Sequence, residues 1–328
     1  MKQHTRHALA LLALFGALPL QAAETASAPD RTECIAPAKP GGGFDLTCKL
    51  LQVSLQETNT IDKPMRVTYM PGGVGAVAYN AIVAQRPAEA GTVVAFSGGS
   101  LLNLSQGKFG RYGVDDVRWL AAVGTDYGMI AVRHDAPYQN LKELVAALKR
   151  DPNSVVIGAG ASIGSQDWMK AALLAKLAGV DPHKMRYVAF EGGGEPVTAL
   201  LGNHVQAVSG DLSEMVPHLG GDKLKVLAVF AKDRLPGKLA DIPTAREQGY
   251  DLEWPVIRGF YVGPKVSDAE YQWWKQTFDQ LVKTDTFKAQ RDQRGLFEFD
   301  LTGDELDRYV KAQVADYREQ AKAFGLAK

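Results

Sequence analysis

Five glycine-rich loops recur along this chain, and they lie between short β-branched runs and stretches with helical periodicity. This order constrains the fold more than any other feature, because a chain that alternates strands, glycine loops and helices builds a sheet covered by helices. The predicted strands span residues 32–36, 65–69, 92–96, 119–132, 155–158, 185–190, 205–209, 225–231 and 258–262. We therefore predict an α/β fold.

Helix starts are marked by polar residues that can cap the free backbone N–H groups of a first turn. The pairs that match a capping box or a close variant are Asn140 with Glu143, Ser267 with Glu270, and Thr302 with Glu305. After the first glycine loop, residues 46–55 form an apolar helical stretch. The last helix carries one apolar stripe that should dock on a core, made of Leu306, Tyr309, Val310, Val314, Tyr317, Ala321 and Phe324.

The glycine loops are also the best candidates for a binding site. Glycine lets a backbone approach a ligand closely, and the free N–H groups of a helix start bind an anion without Lys or Arg. In open α/β sheets ligands bind at the carboxyl ends of strands, where these loops fall. Each loop alone could be a tight turn, but five together favour a carboxylate or phosphate pocket. The loops span residues 40–45, 71–75, 97–100, 158–165 and 191–194.

Length and charge exclude several classes of protein. The chain has 328 residues, which corresponds to about two domains of 100 to 200 residues. Lys plus Arg and Asp plus Glu are both 37, and this balance argues against nucleic-acid binding. A hydrophobic content of 46% with 23% charged residues argues against disorder. No repeat or long linker divides the chain, so we expect two lobes that share crossing strands.

The first 23 residues have the pattern of a secretory signal peptide. Lys2 and Arg6 precede an apolar run at about residues 8–20, and Ala22 and Ala23 follow it. This run is shorter than the roughly 20 residues that cross a bilayer, and no later segment is as continuously apolar. We expect an exported, periplasmic chain that has no transmembrane segment after cleavage.

Export changes the interpretation of the two cysteines, Cys34 and Cys48. In an oxidising compartment a lone pair of cysteines favours a disulfide, which here would close a loop of about 15 residues and stabilise the fold by roughly 3 kcal/mol. The alternative is two buried thiols that never meet. No CxxC motif and no histidine pair at metal spacing accompanies them, so we expect neither a structural metal nor another cofactor.

Two motifs suggest enzymes. Residues 73–78 match GxGxxA after a strand, the dinucleotide fingerprint, but Pro71 occupies the turn and the next strand ends at Phe96 without an acidic partner for a ribose. Residues Gly160-Ala161-Ser162-Ile163-Gly164 match GxSxG between a strand and a helix, the nucleophile elbow of α/β-hydrolases. The second match is the sharper one, and it keeps a secreted α/β serine hydrolase as the alternative function.

A hydrolase also needs an acid, a late histidine and an upstream oxyanion loop. His183, His204 and His218 follow Ser162, but no HGGG segment exists and all six histidines precede residue 219. We prefer surface or capping roles for these histidines, and we expect a protein that is not an enzyme.

The ordered set of motifs resembles the TctC/Bug family, the extracytoplasmic solute receptors of tripartite tricarboxylate transporters. The similarity runs from about residue 30 to the C-terminus. It is carried by residues 40–45 (PGGGFD), 69–75 (YMPGGVG), 158–168 with 171–181, 190–194 (FEGGG), 209–214 (SGDLSE), 241–244 (DIPT) and 258–259 (RG).

The resemblance implies a type II periplasmic binding protein fold, with two α/β lobes joined by crossing strands around a ligand cleft that closes like a Venus flytrap. The first lobe would comprise residues 29–125 and 235–328, and the second residues 126–234. In this family, carboxylates are held mainly by backbone amides, hydroxyls and water. We expect a monomer.

Carried over to this sequence, the resemblance implies a set of ligand-binding residues. Phe44 would pack on the body of the ligand or, as an alternative, on the first helix. Asp45 would cap the loop and orient water rather than touch an anion. The set is Gly42, Gly43, Phe44, Asp45, Gly73, Ser97, Gly98, Ser100, Ala161, Ser162, Ser165, Glu191, Gly192, Gly193, Asp211 and Arg258.

Two charged residues in this set allow opposite interpretations. A carboxylate at Glu191 would repel an anionic ligand unless it points away or pairs with a cation. Arg258 could grip a carboxylate of the ligand in a bidentate manner, or it could form a salt bridge between the lobes.

The resemblance therefore implies a periplasmic receptor that captures a small di- or tricarboxylate, with citrate as the first candidate. Its partners would be the ligand and the membrane subunits of a tripartite tricarboxylate transporter.

Overall fold

The structure is a computed structural model that describes residues 28–326. The predicted signal peptide lies outside the described residues. The strands are β1 (Glu33–Ala36), β2 (Arg66–Tyr69), β3 (Thr92–Ser97), β4 (Arg118–Arg133), β5 (Val156–Gly160), β6 (Arg186–Phe190), β7 (Ala207–Asp211), β8 (Leu224–Val229), β9 (Pro255–Val262) and β10 (Phe297–Thr302). The helices are α1 (Gly43–Glu57), α2 (Ala76–Ala84), α3 (Gly98–Ser105), α4 (Leu141–Arg150), α5 (Gln166–Leu177), α6 (Gly194–Leu201), α7 (Leu212–Met215), α8 (Asp268–Leu281), α9 (Asp285–Gln293) and α10 (Gly303–Lys322).

The strands form one continuous sheet in the order β2-β1-β3-β9-β4-β7-β5-β6, and β8 and β10 also pair with β4. At one end β2, β1 and β3 are parallel, and at the other end β6, β5 and β7 are parallel. We call the elements around β2, β1 and β3 the first lobe and the elements around β6, β5 and β7 the second lobe.

Strand β4 joins the two lobes. Its 16 residues pair antiparallel with β9 and β10 on the side of the first lobe and with β7 and β8 on the side of the second. Because one strand belongs to both halves of the sheet, the lobes are connected by backbone hydrogen bonds rather than by a flexible linker. The residue bounds predicted for the lobes stay a prediction.

The helices pack their apolar faces on this sheet. Helix α1 lies against β1, and a disulfide between Cys34 in β1 and Cys48 in α1 links the two elements, with a Cα–Cα distance of 5.6 Å. Helix α10 buries the predicted stripe at Leu306, Val310 and Val314 against β4 and α3, while Tyr309 and Phe324 at its margins are only partly buried.

The nine predicted strands are all present, with ends shifted by a few residues. Strand β10 was not predicted, although its residues alternate apolar and polar side chains in the manner of a half-buried strand. The strand pairs with β4 at the edge of the first lobe's part of the sheet. The helices predicted from Asn140 and Ser267 begin with those residues as side-chain caps.

The predicted capping box at Thr302 is wrong in one respect. Helix α10 begins there, but the hydroxyl of Thr302 donates to Asp279 Oδ1 at 2.6 Å instead of capping the helix.

Two further searches concern residues 28–326 only. None of their helices is both long enough and apolar enough to cross a membrane. No cluster of His, Cys, Asp or Glu within this range could hold a metal ion.

Candidate ligand cleft

A cavity of about 300 Å³ lies between the two lobes. All five predicted glycine loops contribute to its wall, because each loop follows the carboxyl end of a strand and these ends converge on the cleft. The lining residues are Pro37, Ala38, Gly42, Gly43, Phe44, Gly72, Gly73, Val74 and Ser97 of the first lobe, Arg258 of β9, and Gly160, Ala161, Ser162, Ser165, Gln166, Asp167, Ala189, Phe190, Glu191, Gly192, Gly193, Asp211 and Glu214 of the second lobe.

Helix α1 points its amino end into the cleft from the first lobe. Its N-cap is Gly42, which has extended backbone angles and no side chain to satisfy the first N–H groups. Gly43 is required by close approach, since a Cβ at this position would overlap the guanidinium of Arg258. The helix therefore faces the cleft without a side-chain cap from its own N-cap residue, and the N–H of Gly43 is bonded instead to Glu214 of the second lobe.

Asp45 lies behind this loop and does not line the cavity. Its carboxylate, which is 1% exposed, accepts hydrogen bonds from Gly41 N at 2.8 Å, Lys49 Nζ at 2.8 Å and Tyr69 Oη at 2.9 Å. These contacts hold the shape of the loop. They agree with a role for Asp45 as a loop cap rather than as a residue that contacts an anion.

Helix α5 faces the cleft from the second lobe. Ser165 is its N-cap; its hydroxyl accepts from Trp168 N at 3.4 Å and donates to Gly160 O at 3.0 Å. Ser162 lines the cavity and is exposed, so its hydroxyl is available to a ligand. Ser97 lines the opposite wall as the N-cap of α3, where it forms a capping box with Ser100.

Backbone strain is concentrated at the cleft. Among the described residues, positive φ angles outside glycine occur at Asn59, Val74, Ala161 and Asn203. Asparagine tolerates this conformation, but a β-branched residue such as Val74 rarely does. Val74 and Ala161 line the cleft from opposite lobes, and strained backbone of this kind tends to occur at ligand-binding segments.

The floor of the cleft is a buried network of charges. Arg258 Nη2 lies 2.7 Å from both Asp126 Oδ2 and Asp211 Oδ2. Lys170 Nζ lies 2.6 Å from Asp211 Oδ1 and 2.7 Å from Asp167 Oδ1. The salt bridge that was one interpretation of Arg258 is thus present, and the guanidinium also reaches the cavity wall.

These contacts shift the pKa values of the carboxyls in different directions. Burial alone would raise the pKa of Asp211, but Lys170 and Arg258 together outweigh burial and lower it. For Asp126 burial dominates over the attraction of Arg258, so its pKa is raised. The network therefore keeps Asp211 ionised and holds Arg258 between two acidic groups.

Glu214 also reaches the cleft and was not predicted as a site residue. Its Oε1 accepts from Gly43 N at 3.1 Å, and its Oε2 accepts from Asp211 N at 3.3 Å. Burial, assisted by the nearby charges of Asp211 and Asp167, raises the pKa of Glu214 to about 8.

The mouth of the cleft is crossed by an ion pair between the lobes. Lys39 Nζ lies 2.8 Å from Glu195 Oε1 and 3.4 Å from Glu191 Oε2. Glu191 is the acidic residue whose negative charge would repel an anionic ligand. Its pairing with a cation offsets that repulsion.

All but three of the predicted ligand-binding residues line the cleft, and the exceptions are Asp45, Gly98 and Ser100. Gly98 and Ser100 lie in α3, behind Ser97. Among the polar side chains that line the cleft, sequence reasoning missed Gln166, Asp167 and Glu214. Gln166 and Asp167 open the helix after the loop at 158–165, and Glu214 is the last residue of the motif at 209–214. Their place at a helix start beside a predicted loop or motif was the sequence signal that could have identified them.

The described residues of the cleft do not include the catalytic groups that a serine hydrolase needs. No histidine is found among the described residues that line the cleft. The nearest acid in the loop's helix, Asp167, pairs with Lys170. Ser162 is therefore without a general base, and the nucleophile-elbow interpretation is not favoured.

Comparison with known proteins identifies the family. The sequence profile described as tripartite tricarboxylate transporter family receptor matches residues 52–326, which is more than half of the chain. The chain belongs to this family. The family is one of transport receptors, as the ordered motifs implied.

Sequence identity to an individual relative is low. A protein of Cupriavidus necator, described as UPF0065 protein in gbd 5'region, is 28% identical over 147 residues, which are 44% of this chain and 42% of that protein. This chain thus spans less than half of that relative's length.

Solved structures share the fold. The periplasmic binding protein BugD has a TM-score of 0.81 at 21% identity, and the similarity covers 92% of this chain and 99% of BugD. MatC from Rhodopseudomonas palustris, solved with bound malate, has a TM-score of 0.76 at 19% identity and covers 88% of this chain and 98% of MatC. The predicted type II periplasmic binding protein fold of this receptor is confirmed.

Proposed function

We propose that this receptor is a periplasmic solute-binding protein that captures a small carboxylate in the cleft between its lobes. The observation that carries the proposal is the convergence of helix starts from both lobes on one cavity, that of α1 in the first lobe and that of α5 in the second. The hydroxyl of Ser162, in the loop before α5, is exposed to the cavity, whereas the N–H of Gly43 in α1 is bonded to Glu214. Backbone amides and hydroxyls at helix starts bind carboxylates without a dedicated basic side chain.

The proposed ligand is a di- or tricarboxylate, with citrate as the first candidate. A cavity of about 300 Å³ is at the lower end of the range for small-molecule sites and suits a ligand of this size. MatC, which shares the fold, was solved with bound malate, and this supports a small dicarboxylate as the ligand. The guanidinium of Arg258 at the cavity wall supplies positive charge near a second carboxylate.

The proposed mechanism is closure of the two lobes over the ligand. A ligand that touches both lobes binds the closed state more tightly and shifts the population toward it. The closed receptor would then deliver the carboxylate to the membrane subunits of a tripartite tricarboxylate transporter. Export through the predicted signal peptide would place the receptor in the periplasm, and we propose that it acts as a monomer.

A thermal-shift screen of the protein from about residue 24 tests this proposal. The panel contains citrate, succinate, glutarate, glutamate and benzoate, and the protein is unfolded and refolded first to remove any co-purified ligand. A ligand at 100 times its Kd stabilises the folded state by about 2.7 kcal/mol, which corresponds to a shift of several degrees. A flat panel would refute the proposed capture of these carboxylates, whereas the fold and the family of the chain would stand.

The variant Ser162→Ala tests the site itself. We expect the affinity for the ligand to fall roughly tenfold or more, because a hydrogen bond to a charged group contributes about 1.5 to 3 kcal/mol. The free energy of unfolding without ligand should stay unchanged, since Ser162 is exposed. Ser154→Ala, in an exposed loop away from the cavity, is the matched control. Unchanged affinity in Ser162→Ala would remove Ser162 from the site, and ester hydrolysis lost in this variant would restore the hydrolase alternative.

A further inference from the structure

Glu214 connects the two lobes at the place where an anionic ligand would be expected. It lies in α7 of the second lobe and forms a capping box with Asp211. Its Oε1 accepts from the N–H of Gly43, the first residue of α1 in the first lobe, at 3.1 Å. The amino end of α1 is thus already occupied by a carboxyl group of the protein.

The position of this carboxyl is fixed by its surroundings. Glu214 is 8% exposed, and a Cβ at Gly193 would overlap its carboxyl group. Two backbone donors, Gly43 N and Asp211 N, hold its two oxygens. In this arrangement the carboxyl group of Glu214 is held at the cavity wall, facing the space that a ligand would occupy.

The charges around Glu214 leave it without a cation of its own. The elements packed against it carry Asp211 of β7, Asp167 and Lys170 of α5, Arg258 of β9 and Asp126 of β4. Asp45 of α1 and Glu195 of α6 form ion pairs with Lys49 and Lys39.

In this part of the described structure the two cations, Arg258 and Lys170, each already pair with two carboxylates. Arg258 contacts Asp126 and Asp211, and Lys170 contacts Asp167 and Asp211. An ionised Glu214 would therefore add an unpaired buried charge, which is costly in a protein interior.

We propose that Glu214 is a specificity-determining residue: a di- or tricarboxylate enters the cleft only when the Glu214 carboxyl is protonated, whereas a monocarboxylate binds either form. This inference rests on the proposed function. The geometric reason is that Glu214 lines the cavity beside Gly42, Gly43 and Arg258, where a second carboxylate of the ligand would lie.

The sign of the pH dependence follows from linkage. The pKa of Glu214 in the free protein is about 8, because it is buried close to Asp211 and Asp167. A second ligand carboxylate nearby would raise this pKa further, so binding above pH 8 would take up a proton. The affinity for a polycarboxylate should then be constant below pH 8 and fall by up to tenfold per pH unit above it.

The test is calorimetric titration between pH 7.5 and 9.5 with three probes: succinate, its monoamide succinamate, and citrate. All carboxylates of these probes are ionised in this range, so only the protein titrates. We expect the affinity for succinate and citrate to fall with pH and the affinity for succinamate to change at most about twofold. This comparison needs no variant, so it stands even if substitutions at position 214 fail to fold.

The variant Glu214→Gln keeps an acceptor for Gly43 N and removes the titration. Its affinity for succinate and citrate should be independent of pH across the range. Glu319→Gln, an exposed residue of α10, is the matched control and should behave as the wild type.

Two kinds of failure are distinguishable. An equal pH response for succinate and succinamate, a flat response of the wild type to succinate, or a fall that persists in Glu214→Gln would overturn the role of Glu214 alone. Failure of the wild type to bind any of the three probes at any pH would refute the carboxylate receptor and, with it, this inference.

Discussion

Arg258 shows how one residue can serve both the fold and the site. Its guanidinium is 2% exposed and bridges Asp126 of β4 and Asp211 of β7, so it links the crossing strands to the second lobe. Gly43 packs directly against it from α1. Because its charge is shared by two carboxylates, Arg258 contributes less positive potential to a ligand than a free arginine would.

Removal of this guanidinium should destabilise the folded state. We expect Arg258→Gln to lower the free energy of unfolding by about 3 to 5 kcal/mol, because Asp126 remains buried and loses the cation that pairs with it within residues 28–326. Chemical denaturation at pH 7 measures this effect. Arg308→Gln, an exposed residue of α10, is the control and should change stability by less than about 0.5 kcal/mol. Equal stability of the two variants would contradict the structural role of Arg258.

At the scale of elements, the position of α1 determines where the backbone N–H groups of its first turn face the cleft. Helix α1 follows β1 after a short glycine loop, and the Cys34–Cys48 disulfide ties the middle of the helix to the strand. Both cysteines are fully buried. The predicted disulfide therefore fixes the element that presents Gly43 to the cleft.

Loss of the disulfide should lower the free energy of unfolding more than it changes the geometry of the binding site. The two cysteines are 14 residues apart, and a loop of this length contributes about 3 kcal/mol in the chain-entropy account. We expect the double variant Cys34→Ala with Cys48→Ala to have a free energy of unfolding lower than that of the oxidised wild type by about 3 kcal/mol, and therefore to unfold at a lower denaturant concentration. Reduced wild type should resemble the variant. Unfolding curves that coincide for the oxidised protein and the double variant would disprove the stabilising role.

At the scale of the whole molecule, the described contacts hold the lobes together. Gln106 Nε2 of the first lobe donates to Gly164 O at 2.9 Å, Lys39 pairs with Glu195 at 2.8 Å, and Gly43 donates to Glu214. All three contacts are polar and cross the cleft, while the continuous strand β4 remains on the other side. This arrangement suits a hinge, because polar contacts across a cleft can be exchanged for water at low cost.

Ligand should therefore compact the molecule in solution. We expect the radius of gyration from small-angle X-ray scattering to decrease when the ligand identified by the thermal-shift panel is added to saturation, since that ligand favours the closed state. Ser162→Ala should need a higher ligand concentration for the same change. Sodium chloride at equal ionic strength is the control. A scattering curve unaffected by saturating ligand would contradict closure as the mechanism.

Local features of the sequence were sufficient to predict most of the architecture. The strands, the glycine loops and the N-caps at Asn140 and Ser267 depend on residues that are close in the chain, so periodicity and capping chemistry reveal them. The same holds for the convergence of the loops, because the carboxyl ends of neighbouring parallel strands lie at one edge of a sheet.

Contacts between distant residues could be decided only by the tertiary structure. The pairing of β10 with β4, in which Leu301 lies opposite Ala122, joins residues that are far apart in the chain. Arg258 meets Asp126 across 132 residues and Asp211 across 47, and Gly43 meets Glu214 across 171 residues. No local pattern specifies such pairs, since the energy of a buried charge depends on what surrounds it in space. The sequence by itself determined that loops would form a cleft, and the packing of the two lobes decided which charges face it.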